Sequence, residues 1–346
     1  MQLTITPKEA YAEILANCEV GLVPMFTASP GVGKSAIVRK VAKDYKLKLI
    51  DLRLSQAMPE DLNGFPKIFT DTSGYSTASY VPFDTFPLDT DEIPDGYNGW
   101  LLFFDEITSS TKPVQAASYK VILDGMVGNR KLHPNVYIVA AGNKSTDKAV
   151  VNQMSTALQS RMIHYEMVPS VPDFTENALQ ENYDHRIIAF VNEIPSRLMR
   201  FDPTKAGQEK TFPCPRTYEF LSRLIKNKEV TEKQLPRVAG AIGQGTAIEF
   251  ITFCQEYGKL PKLADVISDP KTTAVPVEAS TKYATMFMLI ENATTQNLGA
   301  ILDYISRFGI EQQIVFSRSV HAVDPSLVET NGKFSAYVQS MTKYLG

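Results

Sequence analysis

The stretch from Leu22 to Ser35, LVPMFTASPGVGKS, limits what this chain can fold into more tightly than any other. An apolar strand runs into a glycine-rich turn, and the turn ends in Lys-Ser at the start of a helix. Ala28 to Ser35 fits G-x-x-x-x-G-K-[ST] at every fixed position but the first, where Ala28 replaces glycine. Gly31 and Gly33 lack a Cβ, so the backbone can take positive φ and turn successive N–H groups toward one anion. Such a turn holds a triphosphate. Lys34 reaches the β- and γ-phosphates, the Ser35 hydroxyl binds Mg²⁺, and the following helix points its positive end at the phosphates. The candidate ATP-binding set is Pro30, Gly31, Val32, Gly33, Lys34, Ser35 and Ala36. The alternative is a glycine turn that merely precedes a helix, and the motifs downstream weigh against it.

Trp100 to Phe104 is a short apolar run ending in Asp105-Glu106, which puts two carboxylates at the carboxyl end of a buried parallel strand. Open α/β sheets bind ligands at that edge. Asp105 suits Mg²⁺, directly or through water, and Glu106 can orient and deprotonate the water that attacks the γ-phosphate. An isolated Asp-Glu pair reads more simply as an acidic cap for the helix after Ser110, but the earlier phosphate turn reverses that preference. Val136 to Ala141 is the next buried strand and ends in Gly142-Asn143. If it neighbours the strand of Glu106, Asn143 can hold the attacking water. Asn143 to Asp147 superficially resembles the guanine-reading N-K-x-D motif, yet the aspartate comes one residue late, which discounts GTP. Ser155 to Ser160 predicts a helix ending at Arg161, with an edge strand from Met162 to Met167. An arginine there can project into a neighbouring subunit's nucleotide; a surface salt bridge is the plainer alternative.

Between and around these motifs the pattern alternates. Thr6-Pro7-Lys8-Glu9 reads as a capping box, Ala36 to Ala42 as the apolar stripe of a helix, and Leu47 to Leu54 as a second strand. Met58 to Gly64 predicts a helical turn closed by glycine, and KIFT and YSTASY flank Asp71 to Gly74 as a hairpin. Pro82, Pro87 and Pro94 point to an irregular, exposed insertion before Trp100, and Gly128-Asn129 to a tight β-turn. From Pro169 onward helical periodicity takes over. Gly240, Gly243 and Gly245 predict a bend, and KTTAVPVEAS after Pro270 a linker. The stripes at Tyr283, Met286, Met288 and Leu289 and at Leu298, Ile301 and Ile305 read as core, or alternatively as a docking face.

Composition closes off other classes. The 35 basic and 38 acidic side chains leave a formal charge of -3, so no global basic surface favours nucleic acid. Cys18, Cys214 and Cys254 are few, odd in number and widely spaced, which argues against a disulfide framework. No signal peptide, membrane span or zinc-ligand spacing is legible, and the expectation is a cytoplasmic protein.

Taken in order, these motifs resemble those of the MoxR-like branch of the AAA+ ATPases. SPGVGKS resembles Walker A, LLFFDE Walker B, AAGN the first sensor, and ALQSRM the segment ending in an arginine finger, here Arg161. LRLSQAMPEDLNGFP is similar to the approach to this branch's helix-two insertion, and FPCPRTYEF to its second-sensor segment, which makes Arg216 the second sensor, in cis or in trans. The resemblance covers Val20 to Leu224. It implies a parallel sheet flanked by helices as an AAA+ α/β core over 1–168, with the insertion around 58–88. It further implies an all-helical lid over 169–270, with the remaining 271–346 as a helical C-terminal extension. It also implies a homo-oligomer, usually a hexameric ring, with ATP between subunits and Arg161 completing the neighbour's site. Family members typically remodel protein clients, often beside a partner with a von Willebrand factor A domain, and Tyr75 and Asn129 become candidate pore contacts; a packed or solvated hairpin aromatic is an equal reading of Tyr75. A small-molecule kinase, a nucleic-acid motor, and a binding module that uses ATP only for assembly are the competing functions. Glu106, Asn143 and Arg161 serve water activation and subunit coupling, which a kinase does not need.

Overall fold

The apolar runs pair as one parallel sheet. In a computed structural model that describes residues 4–147, 152–205, 210–256, 260–329 and 331–341, the strands are β1 (Thr4–Ile5), β2 (Pro24–Thr27), β3 (Leu47–Arg53), β4 (Phe65–Thr70), β5 (Ser76–Val81), β6 (Gly99–Asp105), β7 (Met126–Val127), β8 (Arg130–Lys131), β9 (Val136–Gly142) and β10 (Ile163–Met167). Six of them form a sheet in the order β1-β10-β2-β9-β6-β3, every pair parallel. Six of the seven residues of β6 are buried, as a strand covered on both faces requires. The helices of this unit are α1 (Pro7–Glu19), α2 (Lys34–Asp44), α3 (Pro59–Asn63), α4 (Lys112–Asp124) and α5 (Thr156–Gln159). The Thr6 and Glu9 pair closes the capping box of α1: Thr6 N–H donates to Glu9 Oε2 at 2.7 Å and Glu9 N–H to Thr6 Oγ1 at 3.3 Å.

Two expectations are corrected here. β10 is not an edge strand, because Thr4 and Ile5 pair with Glu166 and Met167 outside it; a two-residue strand carries no periodicity to read. The proline-rich segment before Trp100 is not wholly exposed either. Phe86 is buried in one cluster with Leu54, Leu62 and Val127, and Leu88 bridges to Leu132. Proline spoils the backbone pattern of a segment but not the affinity of its aromatic for the core.

The hairpin β4-β5 is antiparallel, with Ile68 opposite Ala78 and Pro66 opposite Tyr80. It leaves Phe65, Ile68, Phe69, Tyr75 and Tyr80 exposed. Its base rests on the β7-β8 turn. Asn129 Nδ2 donates to Ser79 Oγ at 3.1 Å, and a Cβ on Gly128, at φ +56°, would sit 2.7 Å from the Asn63 carbonyl and 3.1 Å from Tyr80 Cβ. Lys120 of α4 donates to the Gly128 carbonyl from behind.

The chain divides into two units, Met1–Val168 with Asp202–Ala206, and Pro169–Phe201 with Gly207–Gly346. The second contains α6 (Val171–Gln180), α7 (His185–Glu193), α8 (Pro215–Ile225), α9 (Leu235–Ile242), α10 (Gln244–Glu256), α11 (Leu263–Ser268), α12 (Ala279–Glu291), α13 (Leu298–Ile305), α14 (Ile310–Val323), α15 (Pro325–Glu329) and α16 (Gly332–Met341). The glycine-rich bend falls where expected, with Gly243 at φ +78° ending α9. One hydrophobic core joins Phe174 of α6, Phe190 of α7, Phe250 of α10, Met286 of α12 and Phe334 of α16. Residues on both sides of Pro270 therefore share a single interior. Burial pushes the Cys18 thiol up to about 11 and the Cys254 thiol up to about 12, so both behave as packing groups.

Asp184 caps α7 inside this unit. Its carboxylate accepts from Arg186 N–H at 3.0 Å and from the Arg186 guanidinium at 2.8 and 2.6 Å. Burial alone would raise its pKa, but the Arg186 hydrogen bonds and charge outweigh burial and hold the carboxyl below the usual range. Replacing Asp184 with Ala removes the cap and leaves a largely buried guanidinium without its carboxylate, a loss of about 3–5 kcal/mol. Because the folded pKa is lowered, this stabilisation is present at neutral pH and is lost as pH falls below about 4. Denaturant titrations of Asp184→Ala and the parent should differ widely at pH 7 and converge in acid; a constant difference would contradict the assignment.

Candidate nucleotide site

The sheet order brings the carboxyl ends of β2, β9 and β6 side by side, and each end carries one of the motifs. After β2 the chain makes its glycine turn, with Gly31 at φ +84° and Gly33 at φ +116°. Among the described residues, apart from its chain neighbours and the backbone of its own helix, no heavy atom lies within 4 Å of the place a Cβ on Gly33 would take, so the turn is not crowded there. Gly33 is also the residue from which α2 starts, so the helix's free N–H groups begin at the turn. Ala28, where the motif has glycine, is fully buried. Its N–H donates to the Gly142 carbonyl at 3.3 Å and its carbonyl accepts from Lys34 Nζ at 2.8 Å. A methyl group is accommodated there without opening the turn.

Lys34 joins two of the motifs, since its ammonium also donates to Asn143 Oδ1 at 3.2 Å. Asn143 is itself clamped. Its N–H donates to Thr108 Oγ1 at 2.9 Å, and the Thr108 hydroxyl donates back to its carbonyl at 3.3 Å. Thr108 lies so close that a Cβ on Gly142 would fall 2.5 Å from its methyl, which is why the residue before Asn143 is glycine.

Ser35 and Asp105 meet across the strand ends, Ser35 Oγ donating to Asp105 Oδ2 at 2.9 Å. Adjacent oxygens around an octahedral Mg²⁺ lie about 3 Å apart, so the hydroxyl and carboxylate are spaced to share one. Carboxylates gather at this edge. The Asp51 carboxyl is raised, first by burial and then by the charge of Asp105, with Glu106 adding to it against Arg53 and Arg39. A divalent cation would relieve that concentration of negative charge. The glycine turn, the lysine and the Ser35–Asp105 pair thus fit a Mg²⁺-triphosphate.

Glu106 sits at φ +59°, ψ +29°, a left-handed conformation that costs a non-glycine residue about 1–2 kcal/mol. The turn into the 3-10 segment Ile107–Ser109 imposes it. Its carboxylate accepts a hydrogen bond from the Ser55 hydroxyl. Sequence reading missed both Ser55 and Thr108. Ser55 had one available signal: it follows β3, whose Arg53 is in register with Asp105.

Arg161 stands apart from this group. It follows α5, is exposed, and precedes β10, whose Ile163 is in register with Pro24 at the start of β2. Its own phosphate turn leaves from the opposite end of β2. Nη1 donates to Ala157 O at 2.7 Å and to Ser160 Oγ at 3.2 Å, and the guanidinium carbon lies 4.8 Å from the centre of the Tyr119 ring. Arg216 is the second residue of α8, after Pro215, and is exposed.

Residues 24–170 match the profile of the ATPase family associated with various cellular activities (AAA). No curated protein matches the chain. Among solved structures, a mutant of Thermotoga maritima RuvB is 14% identical, with 97% of this chain and 88% of that one covered and a TM-score of 0.34. NtrX from Brucella abortus in complex with ADP is 12% identical, with 99% and 69% covered and a TM-score of 0.36. No helix among the described residues is long and apolar enough to cross a membrane. Residues 24–170, largely within the six-stranded α/β unit, carry an AAA-family domain, and the protein is an ATPase.

Proposed function

We propose that this ATPase works as a homo-oligomeric ring of the MoxR-like kind, hexameric and cytoplasmic, in which Arg161 of one protomer serves the ATP held by the next, and that hydrolysis remodels a protein client. The observation that carries this reading is the placement of Arg161 at the amino end of β10, level with the start of β2. Along four residues of β2 the chain advances on the order of 10 Å before the phosphate turn begins, away from Arg161. An exposed arginine at the wrong end for its own nucleotide is well placed for another subunit's.

Within one protomer, Lys34 and the N–H groups from Gly31 to Ala36 bind the phosphates, while Ser35 and Asp105 hold Mg²⁺. Mg²⁺ held there would supply charge that neutralises the phosphates. Glu106 takes the proton of the attacking water, and Asn143, fixed by Thr108, orients that water. Arg216 acts as the second sensor. The exposed apolar hairpin, whose strands carry Lys67 as their only charged residue, supports a protein client over a nucleic acid. A partner with a von Willebrand factor A domain belongs to the same proposal.

The test is phosphate release from ATP alone, measured across protein concentration. Turnover per protomer should rise as the ring assembles. Turnover that is flat with concentration and requires a small-molecule acceptor would favour a kinase, and stimulation by DNA that weakens steeply with salt would favour a nucleic-acid motor.

A further inference from the structure

We infer that Tyr119 is a positioning residue for Arg161, holding the guanidinium in a set orientation before any neighbour arrives. The inference rests on the proposed trans role of Arg161. A guanidinium has five N–H donors and two faces. In this fold Nη1 is committed to Ala157 O and Ser160 Oγ, and the guanidinium lies over the Tyr119 ring. Among the described residues, Nε and Nη2 make no hydrogen bond. What remains is one edge carrying two kinds of N–H, the fork that grips an oxyanion in bidentate fashion.

An exposed arginine ordinarily samples many rotamers, and ordering it at the moment of reaction slows the step. Here the ordering is done in advance by contacts from two elements. Ala157 and Ser160 belong to the helical turn that precedes Arg161, and Tyr119 belongs to α4, whose Val114, Val121 and Ile122 are fixed in the sheet's core. Tyr119 itself is half-buried against that core, so its ring is a firm platform rather than a mobile one. A cation over an aromatic face is worth from about 0.5 to about 2 kcal/mol, or about 2- to 30-fold in rate if it is spent on positioning.

The experiment mixes two protomers. Arg161→Ala protomers keep their own catalytic glutamate and lack the finger; Glu106→Gln protomers are slow themselves but donate Arg161. The mixture should recover turnover. Adding Tyr119→Leu to the Glu106→Gln donor should lower the recovered kcat about 2- to 30-fold with little change in KM for ATP, whereas Tyr119→Phe in the donor should not lower it. Adding Tyr119→Leu to the Arg161→Ala acceptor should change nothing, because the residue it positions is absent there. Equal losses in donor and acceptor would mean Tyr119 only supports the fold and would overturn the inference, as would full recovery with the Leu donor or a loss with the Phe donor. If the simple mixture of Arg161→Ala and Glu106→Gln recovers nothing at any ratio, the trans reading fails first, and the inference falls with it. Melting temperatures of each protomer separate a folding defect in the Leu variant from a loss of positioning, and the Phe donor remains informative where Leu does not fold.

Discussion

Arg161→Ala protein should bind ATP as tightly as the parent and yet lose turnover by about 10³- to 10⁵-fold at concentrations where the parent is assembled. The size follows from what the residue does. Charge spreads over the equatorial oxygens of the γ-phosphoryl group as it is transferred, and a cation delivered to a water-poor pocket acts on that charge far more than on the ground state. Binding is spared because the phosphate turn, Lys34 and the Ser35–Asp105 pair all lie at the far end of β2 from Arg161. Equilibrium binding of a fluorescent ATP analogue, beside steady-state phosphate release, checks both halves. Weakened binding with unchanged turnover of the bound fraction would place Arg161 in its own nucleotide pocket and contradict the sheet register.

Glu106→Gln should retain ATP and slow hydrolysis by about 10²- to 10⁴-fold, the usual worth of a well-placed general base. The substitution isolates that role. Glutamine has the same length, can accept the Ser55 hydroxyl as the carboxylate does, and places no new group in the left-handed turn at φ +59°. Only the capacity to take a proton is removed. Single-turnover hydrolysis of prebound ATP reads the chemical step without product release. A rate equal to the parent's would remove Glu106 from the reaction.

Much of this site was legible because each part is announced by its own neighbours in sequence. A continuous apolar run such as Trp100 to Phe104 can only be a buried strand when it ends in carboxylates at the edge where a phosphate turn also emerges. The adjacency of β6 and β9, on which the role of Asn143 depends, needed the structure, and it is present in the register of Phe103 with Val139 and Phe104 with Ala140. What sequence could not yield were the residues that hold the others: Ser55 on Glu106, Thr108 on Asn143, and Tyr119 beneath Arg161. A serine, a threonine and a tyrosine are common, and their partners lie 51, 35 and 42 positions away. Contacts at such separation leave no local periodicity. The helical unit was readable as helices from its 3.6-residue stripes, but a stripe says only that a face is covered, not which helix covers it. That is why the single core spanning Phe174 to Phe334 emerged only from the packing.

Helix α4 has a mechanical consequence. Two consecutive residues on it face different machinery: Lys120 props the turn under the β4-β5 hairpin, and Tyr119 carries the guanidinium of Arg161. Under the proposed function, in which the hairpin meets a client and Arg161 acts on a neighbour's ATP, a tug on the hairpin tip would be felt at Lys120, and one peptide bond further back at the aromatic seat of Arg161. Traction and ignition would then be fixed to the same beam, so that resistance met by one is registered at the other without any longer relay.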